Sequence, residues 1–367
     1  MTDPRVTGLA RVIVRYSLDL QEGQTFLISS GAVAEPLIQS LYEQALEVGA
    51  HPMLDISLEG TQSAFFRLAS DEQLDWVSPT HKWAFEQADA RMRILSDTNT
   101  RELSSVPPER QTRRQKAMHP YMTQMMERSA RGELRWNVTL FPTNAYAAEA
   151  SMSLRDYEDF YYRACLADQP DPVEAWIHAS RETNRLAEWI EGHEEVHIEG
   201  PGTNLKLNVS GRHFKPADGK YNMPDGEFFT GPVEDSADGE VTFHLPASYS
   251  GREVSGVRFR FEAGRVVDAT AERGEDFLIE MLDTDEGARR LGELGIGTNF
   301  GISDGTGEIL LDEKIGGTVH LAVGQSYPET GGVNESAVHW DMICDLRQGG
   351  SITVDGEVLQ RDGEFVI

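Results

Sequence analysis

The stretch RVTGLARVIVRYSLDLQEGQTFLISSGAVAEPLIQSLYEQALEVGAHPMLDIS (residues 5–57) alternates between helical and strand periods. Leu9, Ile13 and Tyr16 recur at helical spacing over 5–19. TFLIS (25–29) is a short apolar run held between Gly23 and Gly31, and reads as a strand. Residues 34–48 are helical again, with Leu37, Leu41 and Leu46 turned inward and Gly49 as a stop. MLDIS (53–57) follows as a second strand. Strand and helix alternating at this spacing predict a parallel sheet with crossover helices.

The same texture continues outward. Asp71 to Ala88 reads as a helix, RMRILSD (91–97) and RWNVTLF (135–141) as strands, and a polar helical stretch lies around 109–130. No GxGxxG or GxxxxGK[ST] follows the first strand, so nothing points to a dinucleotide or ATP. A long helix is expected over 172–191, and beyond it the chain becomes strand-rich with tight glycine turns. VHIEG (196–200), LKLNV (205–209), VTFHLP (241–246), VSGVRFRFEAGRVVDATA (254–271) and TVHLAVG (318–324) are the strands, with EAGR (262–265) as a hairpin loop. The expectation is an α/β fold in two domains. An N-terminal parallel-sheet α/β domain (1–192) acts as scaffold, and a β-rich α+β domain (193–367) carries the chemistry.

Composition bounds the partners. The 367 residues carry a formal charge of -28, with only six lysines. Nucleic acid and anionic membrane surfaces are poor partners for such a field. Excess acid with little lysine suits solubility at high salt, and a merely acidic protein from an ordinary environment is the alternative. Two cysteines, Cys165 and Cys344, cannot build a disulfide framework, which favours a reducing compartment. Without a signal-type leader or a run of about 20 apolar residues, a cytoplasmic protein is expected.

Chemistry-bearing residues gather in the second half. NMPDGEFFTGP (222–232) presents Glu227 on a loop between two turns, as a ligand or as a plain surface carboxylate. LGELGIGTNFGI (291–302) sets Glu293 in apolar surroundings, where a buried charge needs a metal or an arginine. In GTVHLAVGQSYPETGG (317–332), His320 faces opposite to Val319 and Leu321, and Tyr327 follows in a loop. His320 alone reads equally as a hydrogen-bonded core histidine, and Tyr327 as a donor to an oxyanion or as packing.

NESAVHWDMICDLR (334–347) is the sharpest local signal. His339 and Asp341 share one strand face, while Val338, Trp340 and Met342 take the other. Such a pair presents an imidazole and a carboxylate to one ion, or forms a surface salt bridge. Asp345 continues that face and can orient a ligand or pair with Arg347. Glu227, Glu293, His320, His339 and Asp341 together make a nitrogen and oxygen set without thiolate, suited to Zn, Co or Mn. Five ligands exceed one catalytic zinc and match two close ions. No HExxH is present, and no serine sits in a GxSxG context.

Four ordered blocks carry a resemblance: NMPDGEFFTGPVE (222–234), ELGIGTN (293–299), DEKIGGTVHLAVGQSYPETGG (312–332) and NESAVHWDMICDLR (334–347). Together with the opening LARVIVRYSLDLQEGQTFLISSGAVAEPLIQSLYEQALEVGAHP (9–52), they resemble the two-metal aminopeptidases related to aminopeptidase T. The resemblance implies release of N-terminal amino acids from peptides by a metal-activated water at a pair of divalent ions. It implies metal ligands at Glu227, Glu293, His320, His339 and Asp341, with Tyr327 and Glu293 acting in catalysis. It also implies a homodimer whose N-terminal domain shields the site. Two other readings stay open. His320, His339 and Asp341 alone can hold one Fe(II) for ring-cleaving oxygenation, and the chain can be an acidic scaffold without activity.

Overall fold

The computed structural model describes residues 3–249 and 251–367. Its chain divides into two compact units, one of Met1–Ile177 with Gly219–Met223, the other of His178–Asp218 with Pro224–Ile367. The division falls inside the long helix Pro172–Ile190, whereas the sequence expectation drew it after that helix, at 192.

In the first unit, five strands form a parallel sheet in the order His51–Ser57, Thr25–Gly31, Ala90–Leu95, Arg135–Leu140, Asn222–Met223. The strand Thr25–Gly31 is buried because Phe26, Leu27 and Ile28 are apolar in succession, as a strand covered on both faces requires. The helix Glu35–Glu47 buries Leu37, Ile38 and Leu41, while Leu46 stays 55% exposed and does not turn inward. The helix expected from Asp71 to Ala88 is interrupted. It forms as Asp71–Asp75 and Pro79–Gln87, because Pro79 disfavours helical backbone at Ser78 and Ser78 caps the amide of His81. The opening helix Pro4–Val12 passes into a wider turn over Ile13–Ser17.

The second unit contains an eight-stranded sheet that includes Glu195–Gly200, Thr203–Asn208 and Arg258–Glu262, and a five-stranded one. The five run in the order His339–Asp345, Thr318–Gly324, Leu291–Gly297, Glu227–Thr230, Lys215–Ala217, every neighbouring pair antiparallel. The two sheets share one core. Val196, Leu205, Phe259 and Phe261 come from the first, and Phe228, Leu294, Val319, Leu321, Trp340 and Met342 from the second. Ala263 and Gly264 both take positive φ (47° and 76°), the conformation a two-residue hairpin turn needs, so EAGR is the hairpin its sequence predicts. Among the described residues, no helix is long and apolar enough to cross a membrane. The fold is thus an N-terminal parallel-sheet α/β region followed by a strand-rich region.

Candidate metal centre

Alternation along the five-stranded sheet separates core from site. Trp340 and Met342 enter the core, so His339 and Asp341 emerge on the opposite face. By the same rule Phe228 goes inward, and Glu227 shares the outer face with Phe229. His320 stands between Val319 and Leu321, both in the core. Glu293 comes from the next strand, just past a bulge between Leu291 and Glu293. Four adjacent strands therefore bring these five side chains together.

The distances are those of a shared cation site. His320 Nε2 lies 3.2 Å from Glu227 Oε2 and 3.5 Å from Glu293 Oε1. His339 Nε2 lies 3.2 Å from Glu293 Oε2 and 3.6 Å from Asp341 Oδ2. Glu293 thus points one oxygen at each imidazole. Glu293, His339 and Asp341 each offer an atom within 4.8 Å of the others, and Glu313, His320 and Asp341 form a second such group. Both imidazoles are oriented from behind. His320 Nδ1 sits 3.1 Å from the carbonyl of Glu313, and His339 Nδ1 sits 2.8 Å from that of Gln325. A carbonyl only accepts, so each Nδ1 carries the proton and each Nε2 is free to give a lone pair to an ion.

With each imidazole protonated on Nδ1 alone, three buried atoms here, Glu227 Oε2, His320 Nε2 and Asp341 Oδ1, have no hydrogen-bond partner. An imidazole lone pair 3.2 Å from a carboxylate oxygen is repulsive unless a proton or a cation lies between them. The donor set and these orphaned atoms fit a divalent metal.

Without metal, protons take that place. Burial pulls the His320 imidazole down, but the Glu227 charge and the hydrogen bond to Glu293 outweigh it and hold its pKa at about 10. His339 rises to about 9, where burial is overcome by the hydrogen bond to Glu293 and the charge of Asp341. Burial would raise Glu293, yet hydrogen bonds from both histidines bring it to about 2. Burial carries Glu227 up to about 8 against the pull of Lys314 and His320. Burial and the Glu293 charge carry Asp341 to about 6. A metal must displace the two imidazole protons, so its affinity rises with pH until the histidine pKa values are passed. Chelator competition is expected to show affinity increasing about tenfold or more per unit between pH 6 and 8. A flat profile would contradict this proton balance.

Tyr327 stands beside the centre, its hydroxyl 3.4 Å from His339 Nε2 and its ring against Phe229 and His339. Although the residue is 36% exposed, burial of the phenol, then the charges of Glu293 and Asp341, push its pKa well above the ordinary value. It is a hydroxyl donor. Asp345 forms a two-point ion pair with Arg347 and does not orient a ligand.

Sequence reasoning passed over Lys314 and Glu313, although both stand in the quoted DEKIGG block. Lys314 is wholly buried and reaches Glu227 Oε1 at 2.9 Å. Burial opposes its charge, but Glu227, Glu313 and Asp225 outweigh that and keep it an ammonium. A cavity of about 300 Å³ adjoins the centre, lined among others by Ala247, Tyr249, Ile309, His339 and Asp341.

Comparison with known proteins agrees with this chemistry. Residues 2–365 match the family model described as thermophilic metalloprotease (M29). Aminopeptidase T of Thermus thermophilus is 29% identical over 393 residues, covering 97% of this chain and 94% of that protein. Aminopeptidase 2 of Geobacillus stearothermophilus is 28% identical, covering 97% and 96%. The solved wild-type AmpT from Thermus thermophilus superposes with a TM-score of 0.86 at 26% identity, covering 99% of both chains. A 2,5-dihydroxypyridine dioxygenase from Pseudomonas putida shares the fold alone, with a TM-score of 0.57 at 13% identity over 98% and 96% of the two chains.

Proposed function

Because this chain belongs to the thermophilic metalloprotease (M29) family, we propose that Glu227, Glu293, His320, His339 and Asp341 hold two divalent ions. The chain is a metal-dependent aminopeptidase; what is proposed is how its residues do the work. The observation that carries the proposal is Glu293, whose two oxygens face two different imidazoles. Glu227 and His320 would hold one ion and His339 and Asp341 the other, with Glu293 presenting one oxygen toward each histidine. Zn, Co and Mn fit this nitrogen and oxygen set. When bound, the pair supplies Lewis acidity to the substrate carbonyl and lowers the pKa of the attacking water.

The remaining steps belong to the chain. The face of the sheet fixes the ligands, and the cavity beside His339 and Asp341 takes the side chain of the first residue. Tyr327 donates to the oxygen of the scissile carbonyl as negative charge develops there. Tyr327→Phe is expected to lower kcat about 10²-fold with little change in KM, the cost of losing one such donor. An unchanged kcat would leave Tyr327 as packing.

Two further readings accompany this one. The chain is a homodimer: its parallel sheet ends on His51–Ser57, whose Met53, Leu54 and Ile56 are exposed at 37%, 50% and 37%. A monomer mass by sedimentation at micromolar concentration would remove that reading. It is cytoplasmic, in keeping with two cysteines that are both free and buried. The direct test of function is hydrolysis of an aminoacyl-anilide panel by protein reconstituted with Zn, Co or Mn. Free-amine substrates are expected to turn over and N-acetylated ones not. Equal cleavage of both would rule out an exopeptidase that needs the free amine.

A further inference from the structure

Lys314 follows the short helix Ile309–Asp312, and its ammonium is 0% exposed. Three carboxylates surround it: Glu227 Oε1 at 2.9 Å, Asp225 Oδ1 at 3.8 Å, and Glu313 in direct contact. Its backbone is held on both sides. Its N–H donates to the carbonyl of Leu311 at 3.1 Å, and its own carbonyl accepts from the N–H of Asn299 at 3.0 Å. The Asn299 side-chain amide in turn donates to the carbonyl of Asp225 at 2.8 Å, tying this segment to the turn that carries Glu227. The neighbouring Glu313 supplies the carbonyl that orients His320. The dipeptide Glu313–Lys314 therefore touches both Glu227 and His320 from behind; Glu313 also lies near Asp341, but the ion pairs of the Lys314 ammonium are with Glu227, Asp225 and Glu313, and His339 is oriented by the Gln325 carbonyl.

A carboxylate with both oxygens open can chelate one ion or bridge two. Glu227 lacks that freedom, because Oε1 is occupied by the ammonium while Oε2 faces His320 without a hydrogen-bond partner. We propose that Lys314 is a positioning residue that makes Glu227 a one-oxygen ligand and so secures the ion at the Glu227–His320 half of the centre. The proposal rests on the two-ion reading of the centre. It assigns the two halves unequal dependence on Lys314, since Glu293, His339 and Asp341 do not touch it. A buried ammonium is costly to desolvate, and its retention beside a ligand is explained by this holding role.

The test is metal binding, not turnover alone. Zn²⁺ is titrated into metal-free wild type, Lys314→Met and Lys314→Gln in competition with a chelator, and thermal unfolding of each variant is followed alongside. Wild type is expected to take two ions. Lys314→Met is expected to keep one at wild-type affinity and to bind the second 10- to 100-fold more weakly, the usual cost of removing a group that orients a metal ligand. Lys314→Gln, which still donates a hydrogen bond to Glu227, should fall between, and it serves if the methionine variant does not fold. Two ions at wild-type affinity in a folded variant would overturn the proposal, even with a lowered unfolding temperature, since a merely structural lysine predicts that pattern. Equal weakening of both ions would overturn it too. A wild type that binds fewer than two ions would instead refute the two-ion reading.

Discussion

Glu293→Gln is expected to lose at least one of the two metal ions and to lower kcat/KM by at least about 10³-fold. The substitution preserves shape, so the loss reads charge and ligation alone. Among the described residues, Glu293 is the one carboxylate that forms an ion pair with both imidazoles, at 3.5 Å from His320 and 3.2 Å from His339. Its hydrogen bond is also the strongest of the interactions that raise the His339 pKa against burial. An amide offers one oxygen where the carboxylate offers two, so it can serve one ion at most. Breaking such a buried charged set costs several kcal/mol, because the partners stay buried without compensation. Metal content and kcat/KM of the purified variant decide it. Retention of more than a tenth of wild-type kcat/KM would show that Glu293 does not join the two halves.

Gly295→Ala is the second large effect, and it comes from a residue with no chemistry of its own. Gly295 pairs directly with His320 across neighbouring antiparallel strands. A Cβ at 295 would lie 1.9 Å from His320 Cε1 and 2.0 Å from Nε2, well inside contact distance. The imidazole occupies the space that a side chain at 295 would fill, so a methyl group must drive it from its observed position. The expected result is loss of the ion at His320 and a fall in kcat/KM of at least about 10²-fold, since a misplacement of about 1 Å costs that much. Overpacking adds destabilisation of about 1–3 kcal/mol. Metal content, activity and an unfolding curve measure the three effects separately. A variant with full metal content and activity would mean that His320 does not need its observed pose.

How much of this could be read from the chain depends on the range of the interaction. His339 and Asp341 were legible because a single strand's period places both on one face. Glu227 and His320 read singly as a turn carboxylate and a core histidine, and only the ordered blocks point to them as candidate ligands. Lys314 and Glu313 stand in one of those blocks, yet nothing local marks a lysine as wholly buried. That burial depends on the loop carrying Asp225 folding back over it. Gly295 was illegible for a different reason: its role exists only in the register that sets it against His320.

The fold shows the same division. Alternating strands and helices predicted the parallel sheet, because each apolar run is local. The break at Ser78–Pro79 divides the helix expected from Asp71 to Ala88, as the proline itself predicts. The exposure of His51–Ser57 reflects its place at the sheet edge, which the order of strands in space decides.

In the proposed centre, five side chains on one sheet face hold two divalent ions for the aminopeptidase reaction. Elemental analysis of reconstituted protein, made alongside assay of amino acid release from an aminoacyl anilide, tests it most directly. Two Zn, Co or Mn ions per chain are expected, with release of the free amino acid. His339→Ala is expected to lose metal and activity together. One iron per chain, with dioxygen consumed and no amino acid released, would contradict it.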